Sequence, residues 1–234
     1  MSTLKVDLHM HTCASKDGIL RPAEIINIAK LKGLDRICIT DHNSIEGALR
    51  AKALDPDFVI VGEEILTTHG ELLAFFVTEW VPPRLSPQET LDRLQAQGAV
   101  ISVSHPFDQH RSDWKEAMLE SMVPRLDAIE AFNARTLQPA CNEKARAFAA
   151  AHGLPITAGS DAHTGREIGA AYQEMPSFNT AAEFRTVLPQ AKLYGQLSPA
   201  WIHLFSRFNV WRGRLGLKPT LSNSELSQRD TPAV

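Results

Sequence analysis

Short apolar runs recur along this chain, and most of them break off into side chains that can do chemistry. Arg36–Thr40 runs into Asp41, His42 and Asn43, and Phe58–Val61 runs into Gly62, Glu63 and Glu64. Ala99–Val103 leads to Ser104, His105 and Pro106, and Ala128–Phe132 leads to Asn133. Pro155–Ala158 leads to Gly159, Ser160, Asp161, Ala162 and His163. Leu72–Val77 is a further run, and Val6–Thr12 opens the series with Val6 and Leu8 alternating with polar partners. Runs of this length and pattern predict strands. Between them, Pro22–Lys32, Ile45–Leu54, Pro87–Gln97 and Asn142–His152 carry helical patterns. Pro22 and Pro87 suit a first helical turn, and Gly33 and Gly153 suit helix ends. Alternating strands and helices predict an α/β fold with a parallel sheet. Reactive residues gathered after the strands predict a site at the strands' C-terminal ends. A closed barrel gathers residues from so many strands more readily than an open doubly wound sheet does.

Composition narrows the partners. With 44% hydrophobic residues in 234, the chain can bury one large core. We read residues 1–218 as one domain and 219–234, polar and aperiodic, as a disordered tail. The net charge of −3 gives no basic field for a long nucleic acid, so nucleotides or short oligonucleotides are the largest such partners expected. The three cysteines, Cys13, Cys38 and Cys141, form no CxxC pair and predict no disulfide framework. No apolar run approaches the ~18 residues of a membrane span, and no charged-then-apolar leader opens the chain. A cytoplasmic protein is expected. Pro199–Leu217 spaces Trp201, Leu204, Phe205, Phe208, Trp211 and Leu215 by threes and fours, with Arg207, Arg212 and Arg214 interleaved. This predicts an amphipathic helix docked on the barrel by its apolar face; a membrane-surface or partner-binding helix is the alternative.

His9 and His11 are two apart, so on a strand both imidazoles leave one face. Five of the nine histidines (His9, His11, His42, His105 and His163) fall beside strand ends, together with Asp17, Asp41, Glu64 and Asp161. Nitrogen and carboxylate donors without thiolate suit Zn, Mn or Fe at a catalytic centre. Strand alternation sends Glu63 and Glu64 to opposite faces, so one can enter that centre. Glu63 is expected to be a salt-bridged structural carboxylate, and Asp41 to orient a ligand histidine.

The order of these clusters resembles the PHP (polymerase and histidinol phosphatase) family over roughly residues 4 to 165. His9-Met10-His11-Thr12 matches the opening HxHT. Ser15-Lys16-Asp17-Gly18 matches the acidic turn that follows, with one residue more than its usual form. Ile39-Thr40-Asp41-His42 matches ITDH, Gly62-Glu63-Glu64-Ile65 matches GxEI, Ser104-His105-Pro106 matches the HP motif, and Gly159-Ser160-Asp161-Ala162-His163 matches GSDAH. The resemblance implies a distorted seven-stranded (β/α) barrel with two or three divalent metal ions. By position, His9, His11, Glu64 and Asp161 would hold one ion. Glu64 would bridge to a second held also by His105, and Asp17, His42 and His163 would hold a third. Glu71 stands about where many relatives carry a ligand histidine and is expected to substitute as an oxygen donor to the metal, a surface carboxylate being the alternative, and Asn133 replaces another ligand histidine. The implied activity is hydrolysis of a small phosphorylated metabolite or nucleotide by a metal-activated hydroxide. In this reading Glu64 bridges, Asp161 or His163 moves the proton, and Arg135, Arg166 and His110 contact phosphate. A nuclease acting on short oligonucleotides and a metal-binding domain without turnover are the alternatives. Oligomeric state is left open.

Overall fold

The computed structural model describes residues 3–111 and 114–221. Seven strands fall at the expected runs: β1 (Thr3–Asp7), β2 (Arg36–Ile39), β3 (Val59–Leu66), β4 (Glu71–Phe75), β5 (Val100–Val103), β6 (Ala128–Asn133) and β7 (Ile156–Gly159), but β1 ends at Asp7, so His9 and His11, expected on that strand, lie beyond its end. Two more, β8 (Ala171–Pro176) and β9 (Lys192–Gly195), bring the sheet to nine strands in the order β7-β6-β5-β4-β3-β2-β1-β8-β9. The expected count of seven is thus corrected to nine. The added pair gives little signal in sequence, because β8 buries a glutamine, Gln173, and β9 is largely exposed. The helices are α1 (Pro22–Leu31), α2 (Glu46–Leu54), α3 (Pro87–Ala96), α4 (Glu116–Met122), α5 (Pro139–His152), α6 (Ala181–Val187) and α7 (Ile202–Arg214).

The sheet curls into a nearly closed barrel. Beyond the ends of β1 and β7, Asp161 N–H donates to the His9 carbonyl and His11 N–H to that of Ala162, both at 2.8 Å. Lower down, β8 pairs antiparallel with β1, and its Gln173 Oε1 accepts Ala158 N–H from β7 at 3.2 Å. β8 therefore fills the seam where β1 and β7 diverge. The sheet is not all parallel: β4 runs antiparallel to both β3 and β5. Only four residues, Thr67 to Gly70, join β3 to β4, too few for a parallel crossover. This reversal brings the N-terminal end of β4, with Glu71, to the rim where the other strands end.

Strand alternation sorts the core into two layers. Ile37, Ile39, Val59, Leu72, Ala74 and Ile101 pack outward beneath α1 and α3, against Ile25, Ala29, Leu91 and Leu94. Val6, Cys38, Ile60, Leu73, Val100 and Ala128 point inward and are closed off by Phe178 and Phe184. On β3 the same alternation sends Glu64 inward and Glu63 out. Glu63 forms no ion pair among the described residues, contrary to expectation. It is fully buried, and its Oε2 accepts Val81 N–H at 3.1 Å.

Helix α7 departs most from expectation. It docks through Ile202, Ser206 and Asn209, and its apolar stripe faces outward. No described helix is long and apolar enough to cross a membrane. Of the tail expected to be disordered, residues 222–234 lie outside the described residues.

Burial pushes the Glu63 carboxyl up from 4.5 to about 8, against the Val81 hydrogen bond, which favours its charged form. The folded chain then keeps a proton that the unfolded chain releases between these values. Folding stability must fall as pH rises through that window, by at most about 1.4 kcal/mol per pH unit. Glu63→Gln keeps the neutral shape, so relative to the parent it should gain stability between about pH 5 and pH 8. Denaturant melts at both pH values measure this, and a difference that does not change with pH refutes a protonated Glu63.

Candidate metal centre

The first turn beyond β1 is built by Asp41. Its Oδ1 accepts Thr12 N–H and Ser15 O–H, each at 2.7 Å, and its Oδ2 accepts Thr12 O–H at 2.6 Å. Ser15 Oγ in turn lies 3.1 Å from His11 Nδ1 and accepts His42 N–H at 3.0 Å. Asp41 thus orients two candidate ligands without touching the centre.

Four donor atoms meet at the mouth of the barrel. His9 Nε2 and His11 Nε2 are 3.1 Å apart. Glu64 Oε2 lies 3.3 Å and 3.4 Å from them, and Asp161 Oδ1 lies 3.7 Å and 3.3 Å away. A tetrahedral ion with bonds of about 2.0–2.1 Å needs donors roughly 3.3–3.4 Å apart. Glu64 Oε2 and Asp161 Oδ1 are also fully buried acceptors without a hydrogen-bond donor. Buried oxygens of that kind are costly unless a cation satisfies them. The spacing and the unmet acceptors both fit a metal ion.

Two further groups adjoin the first. Glu64 Oε1 lies 3.2 Å from His105 Nε2, which is 3.4 Å from Glu71 Oε2, while His42 Nδ1 lies 3.0 Å from Glu64 Oε2 and 3.5 Å from Glu71 Oε1. On the other side, Asp17 Oδ2 lies 3.2 Å from His163 Nε2, and Asp17 Oδ1 lies 3.8 Å from His42 Nε2. The triads able to hold an ion are His9–His11–Asp161, His42–Glu64–Glu71 and His11–His42–His163. All nine residues expected to bind metal therefore converge. His42 stands between the Glu71 side and the Asp17 side.

Glu130 holds this arrangement and was not singled out in the sequence. It is buried on β6; its Oε1 lies 2.8 Å from His9 Nδ1, and its Oε2 accepts His105 N–H at 2.9 Å and the Asn133 amide at 3.1 Å. A carboxylate behind the far nitrogen fixes the ring and leaves Nε2 free to bind. The available signal was a lone glutamate inside the apolar run Ala128–Phe132. Asn133 does not present its oxygen to the centre: its amide N–H donates to Asp161 Oδ2 at 3.0 Å, and its oxygen accepts Arg135 N–H at 2.9 Å. Two candidate ligands sit on strained backbone, His105 at φ 26° and Asp161 at φ 53°. At Gly159, a β-carbon would come within 2.2 Å of His9 Cβ, so glycine is required for β7 to lie this close to His9.

The charges oppose one another across the cluster. Burial alone would raise Glu64 and Asp161, but His9 and His42 hold Glu64 well below its usual range, and Arg111 and His9 do so for Asp161. Burial alone would lower His9, but Glu64, Asp161 and Glu130 raise it well above the usual imidazole value. His11 is driven down by burial and by His163 and His42. A cation bound among these groups would displace the protons the histidines hold.

The expected phosphate contacts separate. Arg135 is buried and engaged: Nε lies 3.4 Å from Glu167, Nη2 donates to Ser206 Oγ at 2.7 Å, and Nη1 contacts His163 Nδ1. It backs His163 and does not open onto the centre. Arg166 is exposed beside Trp201 and Tyr194, in a cleft of about 750 Å³ away from the ligands. His110 is exposed, its N–H capping Asp108 at 3.1 Å. A cation that does reach the centre is its neighbour Arg111, with Nη1 2.5 Å from Asp161 Oδ2 but not aligned as a hydrogen bond.

Comparisons with known proteins concern the family and the fold. Residues 7–72 match the PHP domain model and residues 139–192 the PHP-associated model. An uncharacterized protein of Methanocaldococcus jannaschii is 35% identical over 144 residues, 56% of this chain and 82% of that protein. The probable phosphatase YcdX of Escherichia coli is 27% identical over 198 residues, 70% of this chain and 80% of that protein. A two-domain protein of Bacteroides vulgatus containing a predicted PHP-like metal-dependent phosphoesterase superposes with a TM-score of 0.68 at 18% identity. That match covers 83% of this chain and 65% of the other.

Glu130→Gln offers an amide where His9 and His105 meet a carboxylate. Metal affinity should fall about 10- to 100-fold while the chain stays folded. Competition with a chromogenic chelator measures this, and unchanged affinity would show that Glu130 does not orient His9.

Proposed function

The chain belongs to the PHP family of metal-dependent phosphoesterases, and from that premise we propose that it hydrolyses a small phosphorylated metabolite or nucleotide. The observation that carries this reading is the convergence of buried His9, His11, Glu64 and Asp161 donors, with Glu64 and Asp161 each 3.3–3.7 Å from both histidine nitrogens and Glu64 extending to His42 and His105. We assign two ions to the Glu64 side and a third to Asp17, His42 and His163; Zn, Mn and Fe all suit these donors. Bound cations would supply a water acidified to near neutral pH and would offset charge on the phosphoryl oxygens. Glu64 would hold ions on both its sides, and its charge would offset their mutual repulsion. Asp161 and His163 are the groups placed to take and return the proton. Arg135 keeps His163 oriented, and Arg111 is the contact for a phosphoryl oxygen, since its guanidinium enters the centre with hydrogen-bonding capacity left over. Substrate size follows from two features. The net charge is −3, and α7 lies against the site, with Asn209 donating to the Asp17 carbonyl at 3.1 Å.

Purified protein should contain Zn, Mn or Fe, and chelation should abolish hydrolysis of phosphomonoesters. A phosphomonoester and phosphodiester panel then ranks the substrates, and efficient degradation of long single strands with poor turnover of small esters would refute the size assignment. Glu64→Gln should lose at least one ion and roughly three orders of magnitude in kcat, whereas Glu63→Gln should keep its metal. If Glu63→Gln empties the site instead, the register on β3 is wrong.

Arg111→Ala should lower kcat/KM about 100-fold with metal content intact, and Arg111→Lys should recover only part of it. Loss of metal in Arg111→Ala would make Arg111 a support for Asp161 instead.

A further inference from the structure

Helix α7 is amphipathic in the unusual sense. Ile202 and Asn209 are buried and Ser206 is half-buried, so the 202–206–209 line faces the protein. At 100° per residue, Trp211, Leu204, Leu215, Phe208, Trp201 and Phe205 fall on one contiguous arc of about 120° away from it. These six side chains are 44–66% exposed, and Leu217 just beyond the helix is 59% exposed. Monomeric proteins rarely leave such a patch uncovered, and its cost in water implies a partner.

The charges on and around the stripe select among partners. Arg207 and Arg214 are exposed on one flank, and Arg212 lies within the arc near Trp201. Residues 196–221 contain these three arginines and Lys218 but no carboxylate, on a chain whose overall charge is −3. A second copy docked symmetrically would set arginines against arginines with no acid on either helix to pair them. A single-stranded nucleic acid needs flat ring faces in succession, and Leu204, Leu215 and Leu217 interrupt them. An anionic bilayer meets the leucines, the aromatic rings and the flanking arginines together. Its acyl boundary takes leucine and aromatic side chains without directional demand, and its headgroups pair with arginines at the border.

We propose that α7 is an interfacial helix that docks this protein on anionic membrane surfaces, with Trp201, Leu204, Phe205, Phe208, Trp211 and Leu215 entering the bilayer boundary and Arg207 and Arg214 at the headgroups. The inner face of the same helix contacts the metal centre through Asn209–Asp17 and Ser206–Arg135, so the docked protein holds that centre close to the lipid surface. The inference stands on the helix alone and does not depend on which ester is hydrolysed.

The test is flotation of the full-length, metal-loaded protein with vesicles of phosphatidylcholine and phosphatidylglycerol, against vesicles of phosphatidylcholine alone. The protein should float with the anionic vesicles, release in high salt, and show blue-shifted tryptophan emission when bound. Phe205→Glu with Phe208→Glu should weaken partitioning at least about tenfold. Both rings are half exposed, so an unchanged thermal melt and metal content separate lost docking from lost folding. No flotation with anionic vesicles, or flotation unaffected by the double substitution, overturns the proposal. A dimer in solution that dissociates in the same variant assigns the stripe to a second copy and also overturns it. So does tight binding of a labelled single strand that disappears in that variant.

Discussion

Glu64 lies within 3.0–3.4 Å of nitrogens from four histidines, His9, His11, His42 and His105, and Ser104 O–H donates to it at 2.6 Å. Those groups come from three places in the chain, and the barrel is what brings them within reach of one carboxylate. Burying so many ionisable groups is unfavourable unless their charges match. A shared carboxylate flanked by cations is one of the few ways to match them. The surrounding structure follows from that demand. Asp41, Ser15, Glu130 and Asn133 hold ligands by their far sides, and strained backbone at His105 and Asp161 aims side chains that a regular strand would misdirect.

The barrel is irregular where the centre needs it to be. A fully parallel sheet would bring only strand C-termini to the rim. The short turn from Thr67 to Gly70 reverses β4, so Glu71 reaches the same rim from the strand's beginning. At the seam, β1 and β7 bond to each other only beyond their ends, at His9, His11, Asp161 and Ala162, while β8 fills the gap below. Closure of the barrel and formation of the first donor set are therefore one event, because the backbone that closes the seam carries three of the four donors. Gly159 keeps the two chains close enough for this.

Helix α7 joins the centre to the surface. Its polar face is spent on Asp17 and Arg135, which leaves its apolar face to solvent. A helical pattern fixes which residues share a face and says nothing of which face turns inward. The sequence predicted the stripe correctly and its orientation wrongly, because two polar side chains found buried partners that periodicity cannot reveal. The arginines show the same limit. Arg135 and Arg111 are both single cations after strands, yet one is consumed by Glu167, Ser206 and His163 and the other enters the centre.

What the sequence alone determined was local. The alternation of apolar runs gave seven of the nine strands and the division of β3 into Glu64 inward and Glu63 outward, since a strand's period of two leaves no freedom there. Motif order gave the nine donors that converge. The tertiary structure decided what depends on distant partners. It reversed β4, because a connection's length matters only once its neighbours are placed. It added β8 and β9, whose half-polar patterns become strands only against an existing edge. It also recruited Glu130, an unremarkable glutamate until His9 and His105, from two other strand ends, came to lie against it.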